Sequence, residues 1–271
     1  MPQTTHGIAF EIAGPEAGGA PITLVHAGIA DRRMWDDVWP ALTTAHRCVR
    51  LDLRGFGEST SRPDGLLDHA ADVLEVLAEA GIAGTHLVGS SLGSGTVVDA
   101  ALRQPDVAAS LALVAPGGAL IAAPTEELRT FWRAEREALD RGDLDAAVEA
   151  NLRTWVDGRG RAPGDVDPTV RRLVGEMQRR AFEITADWDD VEEAEPDPPI
   201  LDRLAEIRVP TLVLLGDRDV DAVGIAANTV VERVPGARLV QWRGVAHVPS
   251  LERPAEFIAL LEEWLRDAGR S

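Results

Sequence analysis

The sequence predicts an α/β fold, with a mostly parallel central sheet flanked by helices and a helical cap inserted into it. Three observations predict it. Short apolar runs alternate with helix-length amphipathic segments, the pattern of parallel strands joined by covering helices. The stretch Leu87-Val88-Gly89-Ser90-Ser91-Leu92-Gly93 sets Ser91 at the centre of Gly-x-Ser-x-Gly, between an apolar run and a helical one. From residue 119 to 204 the alternation stops, and only helical patterns remain.

Along the chain, the apolar runs at 22–25, 48–53, 86–88, 111–115, 211–215 and 238–241 predict strands. Amphipathic stretches at 67–79, 92–103, 223–233 and 254–267 predict the helices that cover them; Pro254 suits a first turn, where its missing N–H is not needed. Within the strandless middle, the segments 126–140, 144–156 and 170–185 are rich in arginine, glutamate and alanine and predict helices. An acidic, proline-rich passage at 187–199 leads back to the strand at Thr211. The expected organisation is therefore a core of residues 1–118 and 205–271 interrupted by a cap at 119–204. A plainer reading makes the middle a peripheral helical layer.

Composition sets outer bounds. The 271 residues suffice for one large core, and 45% hydrophobic content with no long apolar run is that of a globular chain without a membrane span. A formal charge of −18 disfavours nucleic acid and anionic membranes as partners and leaves a small-molecule substrate as the expected one. The first residues lack a basic stretch followed by an apolar one, and the lone Cys48 cannot form an internal disulfide; both fit a cytoplasmic protein. Cys48 lies in an apolar run and reads as a small core residue. All 27 basic residues are arginine and tyrosine is absent, so no lysine amine or tyrosine hydroxyl is available for chemistry. No Cys/His/Asp cluster has metal-ligand spacing, and Gly55-Phe56-Gly57 lacks the third glycine and following helix of a dinucleotide loop. Neither metal nor cofactor is expected.

The chemistry centres on Ser91. A serine hydroxyl needs a base to take its proton and must stand clear of the backbone. A sharp strand-to-helix turn meets the second need, and a Cβ on either flanking glycine would collide with a neighbouring strand or helix. His247, in Gly244-Val245-Ala246-His247, follows the last strand and is the histidine placed to be the base. Asp219 lies just past the preceding strand, with Asp217 and Asp221 beside it as alternatives; its Gly-x-x-Asp position favours it as orienting acid. All three then fall at carboxyl ends of parallel strands, where open α/β sheets place their sites. The plainer readings are a serine in a non-catalytic turn and a loop histidine satisfied by backbone.

With these residues in the order Ser91, Asp219, His247, the chain resembles the α/β-hydrolase fold family. Four segments carry the likeness: His26-Ala27-Gly28, the passage Asp52-Leu53-Arg54-Gly55-Phe56-Gly57-Glu58-Ser59, the Ser91 turn, and residues 244–257 around His247. Asp31-Arg32-Arg33-Met34-Trp35 is similar to the enol-lactonase and cofactor-free haloperoxidase branch. The resemblance implies an oxyanion hole formed by the backbone N–H groups of Gly28 and Leu92, where losing one donor typically costs ~3 kcal/mol in the transition state. It departs from the family's usual His-Gly at Ala27, and Ser94 stands where a glycine is common. It further implies that His26 fixes the oxyanion loop, and that Asp52, Arg54 and Glu58 form a supporting turn network. Arg32, Trp35, Trp132 and Trp155 are pocket candidates, although core packing is the plainer reading of the tryptophans. The implied activity is cofactor-independent serine hydrolysis of a small or medium carboxylic ester or lactone. C–C bond hydrolysis, acyl transfer, perhydrolysis and ligand binding with little turnover are the alternatives.

Overall fold

A computed structural model describes residues 2–16 and 18–269. In chain order the elements are β1 (Phe10–Ala13), β2 (Ile22–Val25), α1 (Trp39–Ala45), β3 (Cys48–Leu51), α2 (His69–Glu79), β4 (Thr85–Ser90), α3 (Leu92–Arg103) and β5 (Ala108–Val114). There follow α4 (Glu126–Asp140), α5 (Leu144–Asn151), α6 (Pro168–Ile184), α7 (Ile200–Arg203), β6 (Thr211–Gly216), α8 (Asp221–Arg233), β7 (Arg238–Trp242), α9 (Pro249–Glu252) and α10 (Pro254–Ala268).

The seven strands form one sheet in the order β1-β3-β2-β4-β5-β6-β7, parallel throughout except for β1, which pairs antiparallel with β3. Strands β2, β3 and β6 are buried at every position, as expected of parallel strands covered on both faces. At the edge, β7 alternates exposed and half-buried residues. All six predicted strands are present. Strand β3, predicted over 48–53, stops at Leu51, because the Asp52 N–H turns to the Ala9 carbonyl and Gly55 then takes a φ of +89°. Strand β1 was not predicted: Phe-Glu-Ile-Ala is too short for its alternation to show.

Between β5 and β6 the chain leaves the sheet for the helices α4 to α7. Thr125, Asp143 and Asp167 cap α4, α5 and α6, each accepting a backbone N–H of the first turn. In α6 the buried residues Val170, Val174, Met177, Gln178 and Ala181 recur at helical spacing and make one inward face. The predicted helix 144–156 changes geometry after Asn151: residues Leu152–Asp157 form a wider π-helical turn. No helix among the described residues is long and apolar enough to cross a membrane.

Candidate active site

Ser91 joins β4 to α3 with φ +52° and ψ −114°, a conformation that L-residues adopt only when their surroundings impose it. The surroundings are visible. A Cβ on Gly89 would stand 2.2 Å from the Gly93 carbonyl oxygen, and one on Gly93 would stand 2.5 Å from that of Val25. Strand β4, the first turn of α3 and strand β2 thus meet at distances only glycine permits. The Ser91 N–H donates to Val114 O at 2.9 Å, and its carbonyl accepts from Ser94 at 2.8 Å and Gly117 at 3.2 Å. Ser94 packs without strain, its hydroxyl bonded to Gly89 O at 2.8 Å.

Beside the turn lies the loop after β2. A Cβ on Gly28 would come 3.5 Å from that of Leu92, so these two residues are neighbours. Among the described residues, neither of their amides donates a hydrogen bond. His26 holds the loop from beneath: its Nδ1–H donates to Ala27 O at 2.8 Å, and its Nε2 accepts the Leu53 N–H at 2.9 Å. Complete burial keeps this ring below the ordinary histidine pKa, consistent with one donor and one acceptor nitrogen. Two sulfur contacts add to the support, from Ala27 N to Met34 Sδ and from Asp31 N to Met177 Sδ, each 3.4 Å. Below them Asp52 accepts the N–H groups of Arg32 and Glu58, both at 2.8 Å, and the Arg32 guanidinium. Arg54 pairs instead with buried Asp72.

Asp219 and His247 meet on the far side. The imidazole Nδ1 lies 2.8 Å from Oδ2 and 3.0 Å from Oδ1 of Asp219, and both side chains are buried. Asp219 is in turn oriented by the Val220 N–H at 2.8 Å. The three neighbouring carboxylates are thereby told apart. Asp217 accepts the Gly244 N–H, Asp221 accepts the Thr125 hydroxyl at the start of α8, and Asp219 alone faces an imidazole. An Nδ1–H directed at a carboxylate leaves Nε2 with its lone pair, the form a proton acceptor requires. Among the described residues the Ser91 hydroxyl has no hydrogen-bond partner, so the structure joins two of the three residues directly and places the third past the end of β4.

Trp155 lies against the imidazole, their ring centroids 4.4 Å apart and tilted by 43°. Its carbonyl also accepts the His247 N–H at 3.2 Å. Phe131 of α4 meets the indole edge-on at 5.3 Å. Trp155 belongs to the π-helical turn, which is fastened to both loops: Arg159 N donates to Arg218 O at 2.7 Å, and Arg161 reaches Glu252 and Gly244 O. Glu252 binds the Ala246 N–H at 2.8 Å.

The other three pocket candidates have different surroundings. Trp35 is fully buried against Phe257, at a centroid distance of 5.9 Å, because its position in a short helical turn points it into the core. Trp132 is 46% exposed; it neighbours Phe131 on α4, and Phe131 takes the inward face. Arg32 is committed to Asp52 and borders an outer charged cleft. Two cavities flank the site. One of about 300 Å³ reaches Leu92, Thr96, Gly118 and His69; another of about 520 Å³ reaches Phe131, Thr154, Arg159 and Val220. Burial lowers the His69 pKa to about 4, leaving it neutral. Burial pushes the Cys48 thiol up to about 12, as for an inert core residue. Among the described residues no group of three His, Cys, Asp or Glu could hold a metal ion.

Gly216, Arg161 and Glu252 were not singled out from the sequence. A Cβ on Gly216 would stand 2.3 Å from Val245 O, so this glycine lets the His247 loop cross the end of β6. Its place in Gly-x-x-Asp was the available signal.

The model of the alpha/beta hydrolase fold family matches residues 20–254, and the chain belongs to that family: it is a hydrolase of this fold. It is 25% identical to a strigolactone esterase of Pisum sativum over 94% of this chain and 96% of the relative. A 111-residue stretch, 40% of the chain, is 39% identical to the dihydrolipoyllysine-residue acetyltransferase component of the acetoin cleaving system of Pseudomonas putida, of which it covers 30%. The crystal structure of the enol-lactonase of Burkholderia xenovorans LB400 superposes with a TM-score of 0.75 at 24% identity, over 96% of both chains.

Proposed function

We propose that the protein is a serine hydrolase that opens a small or medium carboxylic ester or lactone through an acyl-enzyme intermediate. One observation carries the reading: a buried Asp219–His247 pair stands at the same end of the sheet as Ser91, held in strained geometry at the start of α3. Full-length similarity to an esterase supports the ester linkage as the target.

Ser91 Oγ attacks the carbonyl carbon while His247 Nε2 takes its proton. Asp219 keeps the ring in the tautomer that presents Nε2 and stabilises the imidazolium that forms. The unengaged amides of Gly28 and Leu92 receive the negative oxygen, and Leu92 also begins a 12-residue helix whose positive end favours that charge. The imidazolium then protonates the departing alcohol; in a lactone the alcohol stays tethered to the acyl group. Water, activated by the same imidazole, releases the acid. The serine–imidazole hydrogen bond forms as substrate binds, since such contacts tighten in the reacting complex. The helices from α4 to α7 act as a cap, and their π-helical turn closes over the base.

Hydrolysis of p-nitrophenyl acetate and butyrate, a lactone, and a C–C substrate bearing a vinylogous diketone tests the reading. Ester or lactone turnover that disappears in Ser91→Ala supports it. Turnover confined to the C–C substrate, or none on the whole panel, overturns it.

A further inference from the structure

We infer that Trp155, carried by the inserted helices, is a positioning residue for the base: its indole face stabilises the imidazolium of His247 during turnover. The inference rests on the serine-hydrolase reading and adds to it a residue outside the three-residue relay. Asp219 acts on His247 in the plane of the ring, through Nδ1. It leaves the faces of the ring unaddressed. Trp155 lies against the ring, with centroids 4.4 Å apart and an angle of 43°. An aromatic face carries negative charge density and attracts a cation lying against it, most strongly where water is excluded. The contact is shielded from bulk solvent: His247 is 1% exposed and Trp155 8%.

The attraction exists only while the ring is charged, between the serine's attack and the proton's return. It is therefore felt in the transition state and not in substrate binding, and it acts on kcat rather than KM.

The construction around Trp155 fits this role better than incidental packing. The indole is fixed twice to the same residue, through its ring and through its carbonyl, which accepts the His247 N–H at 3.2 Å. Phe131 packs against the indole edge-on, with centroids 5.3 Å apart. The helix widens to a π-turn over Leu152–Asp157, a distortion often found at functional sites, and so offsets Trp155 from the regular α5 register. The end of that turn is set by close contact: a Cβ on Gly158 would stand 2.5 Å from Arg218 O and 2.6 Å from the Ala246 Cβ. Asp157 of the turn pairs with Arg171, and Arg161 just beyond it pairs with Glu252, so both charges are already engaged.

The test is steady-state hydrolysis of a p-nitrophenyl ester by Trp155→Leu and Trp155→Phe, alongside fluorinated tryptophans placed at position 155 alone. Fluorine preserves the indole's shape while draining its face of negative charge. We expect kcat to fall roughly 3- to 30-fold in Trp155→Leu with KM within about twofold, most of it restored by Phe. It should also fall stepwise with each added fluorine. A fluorinated series with constant kcat, or a loss expressed in KM, overturns the inference even if Trp155→Leu folds poorly. Labelling of the wild-type protein by a fluorophosphonate separates the two levels. Labelled wild type with a flat fluorine series sinks only the role of Trp155, whereas unlabelled wild type sinks the serine reading beneath it.

Discussion

Gly216 and Val245 approach so closely that a Cβ on the glycine would stand 2.3 Å from the valine carbonyl oxygen, and 2.4 Å from that of Ala246. The loop carrying His247 therefore rests directly on the end of β6, three residues before Asp219. This contact brings the imidazole to the carboxylate. Neither the length of the loop nor the charge of the pair would do so alone.

Gly216→Ala should push the 245–247 loop outward. A displacement near 1 Å at a reacting group costs on the order of 100-fold, so kcat/KM should fall by about that factor, with ~1–3 kcal/mol of destabilisation from overpacking. Gly224→Ala is the matched control. Nothing lies within 4 Å of its added Cβ in α8, and it should leave the rate unchanged while gaining ~0.5–1 kcal/mol. Kinetics and denaturant melts on the two variants give the comparison.

Glu252 joins Arg161 to the Ala246 N–H, with both charged side chains about nine-tenths buried. Glu252→Gln leaves the Arg161 guanidinium buried without its counter-charge, which should cost ~3–5 kcal/mol. Replacing both partners together, as Arg161→Met with Glu252→Leu, should cost markedly less, since no uncompensated charge remains. Urea unfolding of the single and double variants measures the difference.

His69 has its Nδ1 buried without a hydrogen-bond partner, and burial lowers its pKa from 6.5 to about 4. The unfolded chain binds this proton more readily than the folded one. The proton-linked penalty is therefore absent well above pH 6.5 and grows as pH falls from 6.5 toward 4, reaching on the order of 3 kcal/mol. Thermal melts between pH 7 and pH 4.5 should show a steeper acid-side loss for wild type than for His69→Phe. Equal slopes would contradict this placement of the ring.

The parts of the site that were legible in the sequence are those set by short-range geometry. Gly89, Ser91 and Gly93 announce a turn whose tightness needs both glycines, and His247 follows the last strand at a fixed remove. The choice of Asp219 over Asp217 and Asp221 rested on its Gly-x-x-Asp position, a short-range signal, while the contact with the imidazole that distinguishes it is seen only in three dimensions. Trp155 raised the same difficulty. It was a pocket candidate on composition, yet its contact with His247 depends on a π-helical turn that regular periodicity does not signal. Trp35 had the opposite fate: the passage 31–35 is similar to one branch of the family and made the ring a pocket candidate, but the ring turns into the core beside Phe257. Strand β1 escaped notice because four residues at a sheet edge carry too little alternation.

The central claim is that the Ser91 oxygen becomes a nucleophile by giving its proton to His247. Reaction with a fluorophosphonate, followed by mass analysis of the modified peptide, tests it most directly. A single covalent adduct should form on Ser91, be absent from Ser91→Ala and form at least 100-fold more slowly in His247→Ala, a roughly general-base-sized loss. An adduct on another residue, or labelling of His247→Ala at the wild-type rate, would contradict it.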